Sequence, residues 1–225
     1  MPTVLLIGAS RGIGLELARQ YRAEGWRVIA TARTDEGLQR LQALGCETLR
    51  VDVAEPAGNS GLAWQLDGEK LDLAIYVAGA MDRASALQPP TREAFDAVMH
   101  TNVMGAMQTI PQILPMLQAA RGTLACISSV MGSLQSTTQG NAALYRVSKA
   151  ALNMVVRCAQ AETPDVTVVA LHPGWVQTDM GGAQAPLTVA ESATSLRQTL
   201  EGIRTHHAPE HRGAFLNHDG TPLPW

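Results

Sequence analysis

Four side chains in this sequence have types and spacing suited to proton chemistry: Asn102, Ser129, Tyr145 and Lys149. Tyr145 and Lys149 stand four residues apart near the start of a predicted helix over residues 143–162, so they share one face. A free phenol, with a pKa of about 10, exchanges protons poorly at neutral pH. An ammonium roughly 5 Å away, at an effective dielectric near 20, would favour the phenolate by about 3 kcal/mol, some two pKa units. That would bring Tyr145 toward general acid/base range. Ser128-Ser129 follow a predicted strand over residues 123–127, and a hydroxyl there can donate to a substrate carbonyl oxygen. Asn102, within Thr101-Asn102-Val103, could anchor a water that joins Lys149 to solvent. A Tyr-x-x-x-Lys pair occurs often by chance. Its weight comes from the elements that must carry it.

Those elements alternate. Apolar runs at 4–7, 27–31, 48–51, 71–77, 123–127, 166–171 and 214–216 read as strands. The continuous Val4-Leu5-Leu6-Ile7 has the character of a strand buried on both faces. Helical spacing separates them: from Leu15 to a stop at Gly25, over 35–44, around 62–66, along 92–120, over 143–162 and over 188–203. Pro111 and Pro115 predict bends in the helix over 92–120. Strand and helix alternating from end to end imply an α/β, doubly wound parallel sheet of about seven strands with helices on both faces, as one domain over 1–225.

In such a sheet the ligand lies beyond the carboxyl ends of the strands. Gly8, Gly12 and Gly14 sit between the first strand and its helix, where glycine lets the backbone approach a pyrophosphate and the helix N-terminus meets its charge. After the second strand, the place of an acid that would select NAD reads Thr31-Ala32-Arg33. Arg33, with Arg11 from the glycine loop, suits the 2′-phosphate of NADP, so NADP is favoured over NAD. Asp52, after the third strand, can accept from an adenine amino group or cap the next turn. His172-Pro173-Gly174 closes the sixth strand beside the expected nicotinamide position.

Bulk properties exclude several classes. The 225 residues are 46% hydrophobic and 16% charged, with a net charge of −3, which fits a well-filled core and no basic surface for nucleic acid. No run is long enough to span a bilayer, and Met1-Pro2-Thr3-Val4 does not begin like a signal peptide, so a cytoplasmic protein is expected. Cys46, Cys126 and Cys158 read as reduced, mostly buried thiols. His206, His207 and His211 read as a solvated loop and no metal is expected. Met99, Met104 and Met107 are assigned to core or subunit packing, and Trp175, Met180 and Met131 either line the substrate cleft or are ordinary loop residues.

Taken together, Gly8-Ala9-Ser10-Arg11-Gly12-Ile13-Gly14, Asp52, Ala78-Gly79, Asn102, Ser129, Tyr145-Arg146-Val147-Ser148-Lys149, Pro173-Gly174 and Thr178 resemble the short-chain dehydrogenase/reductase family along essentially the whole chain. The run from His172 to Gly182 and the closing Asp219-Gly220 to Trp225 resemble its compact C-factor- and sniffer-like carbonyl reductase group. The resemblance implies a Rossmann fold and an NADP-dependent oxidoreductase acting on a carbonyl or alcohol. Tyr145 would move the hydroxyl proton. Lys149 would hold the nicotinamide ribose and lower the tyrosine pKa, Ser129 would polarise the carbonyl, and Asn102 would complete a proton relay. Ser129 is preferred to Ser128 because the family places its serine last in the Ile-Ser-Ser run. The cofactor would lie against Gly8, Ser10, Arg11, Gly12, Ile13, Gly14, Arg33, Asp52, Val53, Ala78, Gly79, Asn102, Tyr145, Lys149, Pro173, Gly174, Val176 and Thr178. Two copies or four would pair through the two long helices.

The chain departs from the family after the fourth strand, where Tyr76-Val77-Ala78-Gly79 replaces Asn-Asn-Ala-Gly and removes an asparagine that ties neighbouring strands. The gap from Ser129 to Tyr145 is slightly long, so residues 132–141 are expected to shape the pocket. A small or flat carbonyl in a rather open pocket is expected. The rival readings are an NADP(H)-binding sensor, which would need only the glycine loop, and a sugar-nucleotide epimerase, which would need a larger substrate domain.

Overall fold

Seven strands pair in parallel among the described residues, in the order β3-β2-β1-β4-β5-β6-β7. They are β1 (Thr3–Ile7), β2 (Arg27–Ala32), β3 (Glu47–Arg50), β4 (Leu73–Tyr76), β5 (Thr123–Ile127), β6 (Thr167–His172) and β7 (Phe215–Asn217). The computed structural model describes residues 1–206 and 208–225. His207, in the histidine group considered above, lies outside the described residues.

Side chains alternate across each strand, so one sheet supplies two cores. Val4 and Leu6 face a cluster with Leu17, Ala18, Leu196 and Leu200, under α1 (Gly12–Ala23) and α8 (Val189–His206). Leu5 and Ile7 face a second cluster with Ala106, Ile110, Ile113, Leu152 and Val156, under α6 (Gly105–Ala120) and α7 (Ala143–Glu162). All five residues of β1 are buried, which explains its unbroken apolar run. The remaining helices are α2 (Asp35–Ala43), α3 (Pro56–Asn59), α4 (Leu62–Gln65) and α5 (Arg92–Met99).

The predicted helix over 92–120 is interrupted at a point with no local breaker. Residues His100–Met104 form a π turn between α5 and α6. Pro111 and Pro115, expected to bend the helix, leave α6 continuous. Both prolines lie on its exposed face, as does Met107. The carbonyls four residues before each proline, those of Met107 and Pro111, therefore belong to the solvent side, where lost helical bonds cost least. The expected strand over 71–77 is shorter, because Leu71 instead donates its amide to Met116 in α6. Cys46 and Cys126 are buried and Cys158, on α7, is exposed, in keeping with mostly buried thiols.

The chain runs outward from β1 to β3 and then crosses back to β4. The switch falls between β1 and β4, whose carboxyl ends open a cleft.

Candidate active site

The cleft has a volume of about 1340 Å³ and is lined from both sides of the switch. One end is built on β1, β2 and β3, and it carries the glycine loop, Arg33, Arg40, Asp52 and Val53. The other end is built on β4, β5 and β6, and it carries Ala78, Gly79, Ser129, Tyr145, Lys149, Pro173, Gly174, Val176 and Thr178. Every residue expected at the site lines this cleft except Asn102, which is buried behind its wall.

The glycine loop is tight for a steric reason. Gly8 has φ +84°, and a Cβ there would lie 2.7 Å from that of Ala78. Its amide donates to the Thr31 hydroxyl at 2.9 Å. Close approach of β1 to the β4 loop lets the first turn of α1 face the cleft. No acidic residue occupies that turn, so its backbone N–H groups and the positive end of the helix dipole are available to an anion.

The arginines are arranged differently from expectation. Arg11 is paired with Asp179 at 2.8 Å, both side chains largely exposed. Arg33 lines the cleft together with Arg40, which sequence reading did not single out. The signal for Arg40 was tertiary. A Cβ at Gly37 would touch Ser10 and Ala32 side chains at 2.8 and 2.9 Å, so α2 packs directly on the glycine loop and brings Arg40 along. Asp52 uses Oδ1 to accept from the Ala54 amide at 3.1 Å, so it caps the turn while also lining the cleft.

At the other end the two serines separate. Ser128 is buried and donates to Asn153 Oδ1 at 2.6 Å, a structural bond between β5 and α7. Ser129 accepts from the Met131 amide at 3.1 Å and turns toward Tyr145. Burial pushes the Tyr145 phenol up to about 12, and the Ser129 hydroxyl acts in the opposite direction. Lys149 is buried, donates to the Ile127 carbonyl at 2.8 Å, and its Nζ lies 5.6 Å from the centre of the Tyr145 ring. Burial pushes it down to about 8. The expected lowering of the tyrosine pKa by Lys149 is therefore not what governs the phenol here. The ammonium sits over the ring face, tied to a carbonyl, and desolvation of the buried hydroxyl wins.

Asn102 also differs from expectation. Its Nδ2 donates to the Ala80 carbonyl and the Ser148 hydroxyl, both at 2.8 Å, and its Oδ1 accepts from the Ala80 amide at 2.7 Å. Both amide hydrogens are spent, so the side chain braces the loop after β4 rather than holding a relay water through a free donor. It sits in the π turn, a distortion frequent at functional sites. Where the family asparagine would stand, Tyr76 ties β4 to that turn instead, its hydroxyl donating to the Thr101 carbonyl at 2.7 Å.

Sequence reading missed Arg83, and it placed His172 beside the nicotinamide position without assigning its side chain a role; both line the cleft. Burial, with His218 nearby, pushes His172 down to about 4, so its imidazole is neutral at pH 7. Of the loop over 132–141, only Asn141 reaches the cleft. Gly132 packs against Lys149 and Ala150, and Ser133 is fixed by the Trp225 carbonyl at 3.0 Å. Trp175, Met180 and Met131 do line the cleft. Among the described residues no group of three or more His, Cys, Asp or Glu side chains could hold a metal, and no helix is long and apolar enough to cross a membrane.

Known proteins share this architecture. The chain is 44% identical over 128 residues to C-signal of Myxococcus xanthus, covering 55% of this chain and 74% of that one. It superposes on the carbonyl reductase Sniffer of D. melanogaster with a TM-score of 0.91 at 27% identity, covering 100% of both chains. A Burkholderia multivorans protein solved with bound NADP gives a TM-score of 0.89 at 30% identity, covering 100% of this chain and 99% of that one. Residues 2–186 match the short chain dehydrogenase family, and with the Rossmann sheet in place the chain belongs to that family of oxidoreductases.

Proposed function

We propose that the protein binds NADP(H) and moves a hydride between it and a small or flat carbonyl or alcohol, with Tyr145 as the acid/base. One observation carries the reading: the Ser129 hydroxyl and the Tyr145 phenol share one wall of the cleft, with Lys149 buried behind them. The cleft fits the cofactor. Gly8 lets β1 close against Ala78, Gly12 keeps the loop free of a side chain toward the cleft, the first turn of α1 meets the pyrophosphate charge, and Arg33 with Arg40 suit a 2′-phosphate. Asp52 and Val53 would flank the adenine, and Lys149 would hold the nicotinamide ribose beside Pro173, Gly174, Val176 and Thr178. The NADP-bound relative supports this choice over NAD.

Bound NADPH supplies the hydride. The chain's own residues handle orientation and the proton. Ser129 donates to the carbonyl oxygen. With its pKa pushed up to about 12, Tyr145 is a phenol at neutral pH and gives its proton to the developing alkoxide. Lys149, cationic below about pH 8, then faces the phenolate that remains. Asn102 acts as a positioning residue that fixes the backbone of Ala80.

The test is NADPH oxidation with a panel of aldehydes, ketones and quinones. Tyr145→Phe should lower kcat by about 10²–10⁴-fold while NADPH binding, read by fluorescence titration, persists. Absence of turnover with every compound, or turnover indifferent to the substitution, would overturn the proposal. A second reading, an NADP(H)-binding sensor that acts through a partner, is favoured only by the similarity to C-signal. Tight NADPH binding without turnover would select it. We infer further that Phe95, Met107, Val147 and Met154, exposed on α5–α7, pair two copies of the chain. Sedimentation should give a dimer or tetramer, and a monomer at high concentration would refute this.

A further inference from the structure

We propose that Arg83 selects substrates carrying a carboxylate at the end remote from the reacting carbonyl. The inference rests on the reductase reading above and names its substrate class.

The cleft's cations divide by position. Arg33 and Arg40 stand at the end built on β2 and α2, where the adenosine 2′-phosphate would lie. Arg11 is engaged by Asp179. Lys149 is buried behind Tyr145. Arg83 is a cation at the other end, on the segment that follows β4. That segment is tied to the approach to α7: the Ala86 amide donates to the Gly140 carbonyl at 2.8 Å, and the Ala143 amide to the Ala84 carbonyl at 3.0 Å. These bonds place Arg83 on the wall next to the turn that presents Tyr145.

Its guanidinium is only partly occupied. One Nη2 hydrogen goes to the Met180 carbonyl at 2.6 Å, and among the described residues no carboxylate lies within ion-pairing distance. A guanidinium has five N–H donors in a planar fork that matches a carboxylate. Met81, Met131 and Trp175 line the same part of the cleft and suit a flat apolar body. An aldehyde with its carbonyl at Ser129 and Tyr145, an apolar middle and a distal carboxylate meets each of these surfaces. The Met180 contact sets that residue against this wall, so the carboxylate would bind beside Met180.

The experiment compares formyl-aryl acids with their methyl esters. The carboxylate stands directly on the ring or after one or two methylenes, and NADPH oxidation gives kcat/KM for each. Wild type should prefer at least one acid over its ester by about 10- to 100-fold, the strength of charge-assisted hydrogen bonds. Arg83→Gln should bring that ratio close to one, and Arg83→Lys should restore part of it, as a point charge without the fork. A wild-type ratio near one for every pair, with esters turned over, would overturn the inference and leave the reductase reading standing. A ratio unchanged in Arg83→Gln would also overturn it, by showing that Arg83 acts only through the Met180 contact. No turnover of any acid or ester, while other aldehydes, ketones or quinones are reduced, would overturn the inference alone; no turnover of any of these compounds would overturn both readings together.

Discussion

Lys149→Met should make the protein more stable at neutral pH while removing its activity. Lys149 is only 3% exposed and is pushed from 10.5 down to about 8 by burial. Keeping it charged in the folded state therefore costs about 3 kcal/mol, since one pKa unit is worth about 1.4 kcal/mol. Methionine retains the unbranched stem and removes the charge. It also removes the bond from Nζ to the Ile127 carbonyl, worth about 1 kcal/mol. The net gain at pH 7 is about 2 kcal/mol. The sign follows from proton counts. Between pH 8 and pH 10.5 the unfolded wild type holds more protons than the folded one, so wild-type stability rises with pH across that window. The variant lacks this rise. Its advantage should shrink above pH 8 and reverse by about 1 kcal/mol once the lysine is neutral in both states. Urea denaturation of both proteins without added NADP(H), at pH 7 and near pH 10.5, measures the difference, and titrations common to both cancel. A variant less stable than wild type at pH 7, or a difference that does not move with pH, would refute the reasoning. The buried charge is then a stability cost retained for the site.

Other outcomes follow from the same geometry. Arg33→Ala and Arg40→Ala should each raise the KM for NADPH by about 10- to 100-fold and leave that for NADH nearly unchanged, because each removes a charge-assisted contact to a group only NADPH has. Steady-state kinetics with both cofactors checks this, and equal effects on the two would refute the assignment. The two adjacent serines should part company. Ser129→Ala should lower kcat and, by losing the bond from the Met131 amide, cost about 1 kcal/mol of stability, whereas Ser128→Ala should leave kcat nearly unchanged and cost about 1–3 kcal/mol by leaving Asn153 Oδ1 unsatisfied. Thermal unfolding run beside turnover separates them, and the reverse pattern would exchange their roles.

The order of strands and helices and the glycine loop were legible in the residues because each depends on short-range pattern. A run such as 4–7 buried on both faces must be apolar throughout. A strand meeting a helix at φ +84° calls for glycine. The helical register of Tyr145 and Lys149 follows from spacing alone. What tertiary structure decided were quantities that depend on neighbours distant in sequence. The π turn around Asn102 has no local breaker; Tyr76, on a strand 25 residues earlier, meets the carbonyl of Thr101 in that turn. The direction of the Tyr145 shift depended on how much water the fold removes, and that outweighed the nearby ammonium assumed from spacing. Arg40 and Arg83 reach the cleft only because α2 packs on the glycine loop and the β4 loop is laced to the approach to α7. The sequence by itself determined which residue types could do this chemistry and on which elements they ride. Burial and long-range packing decided their charge states, their free donors and which of several arginines face a ligand, because solvation and contact are properties of the folded surface rather than of any local run of residues.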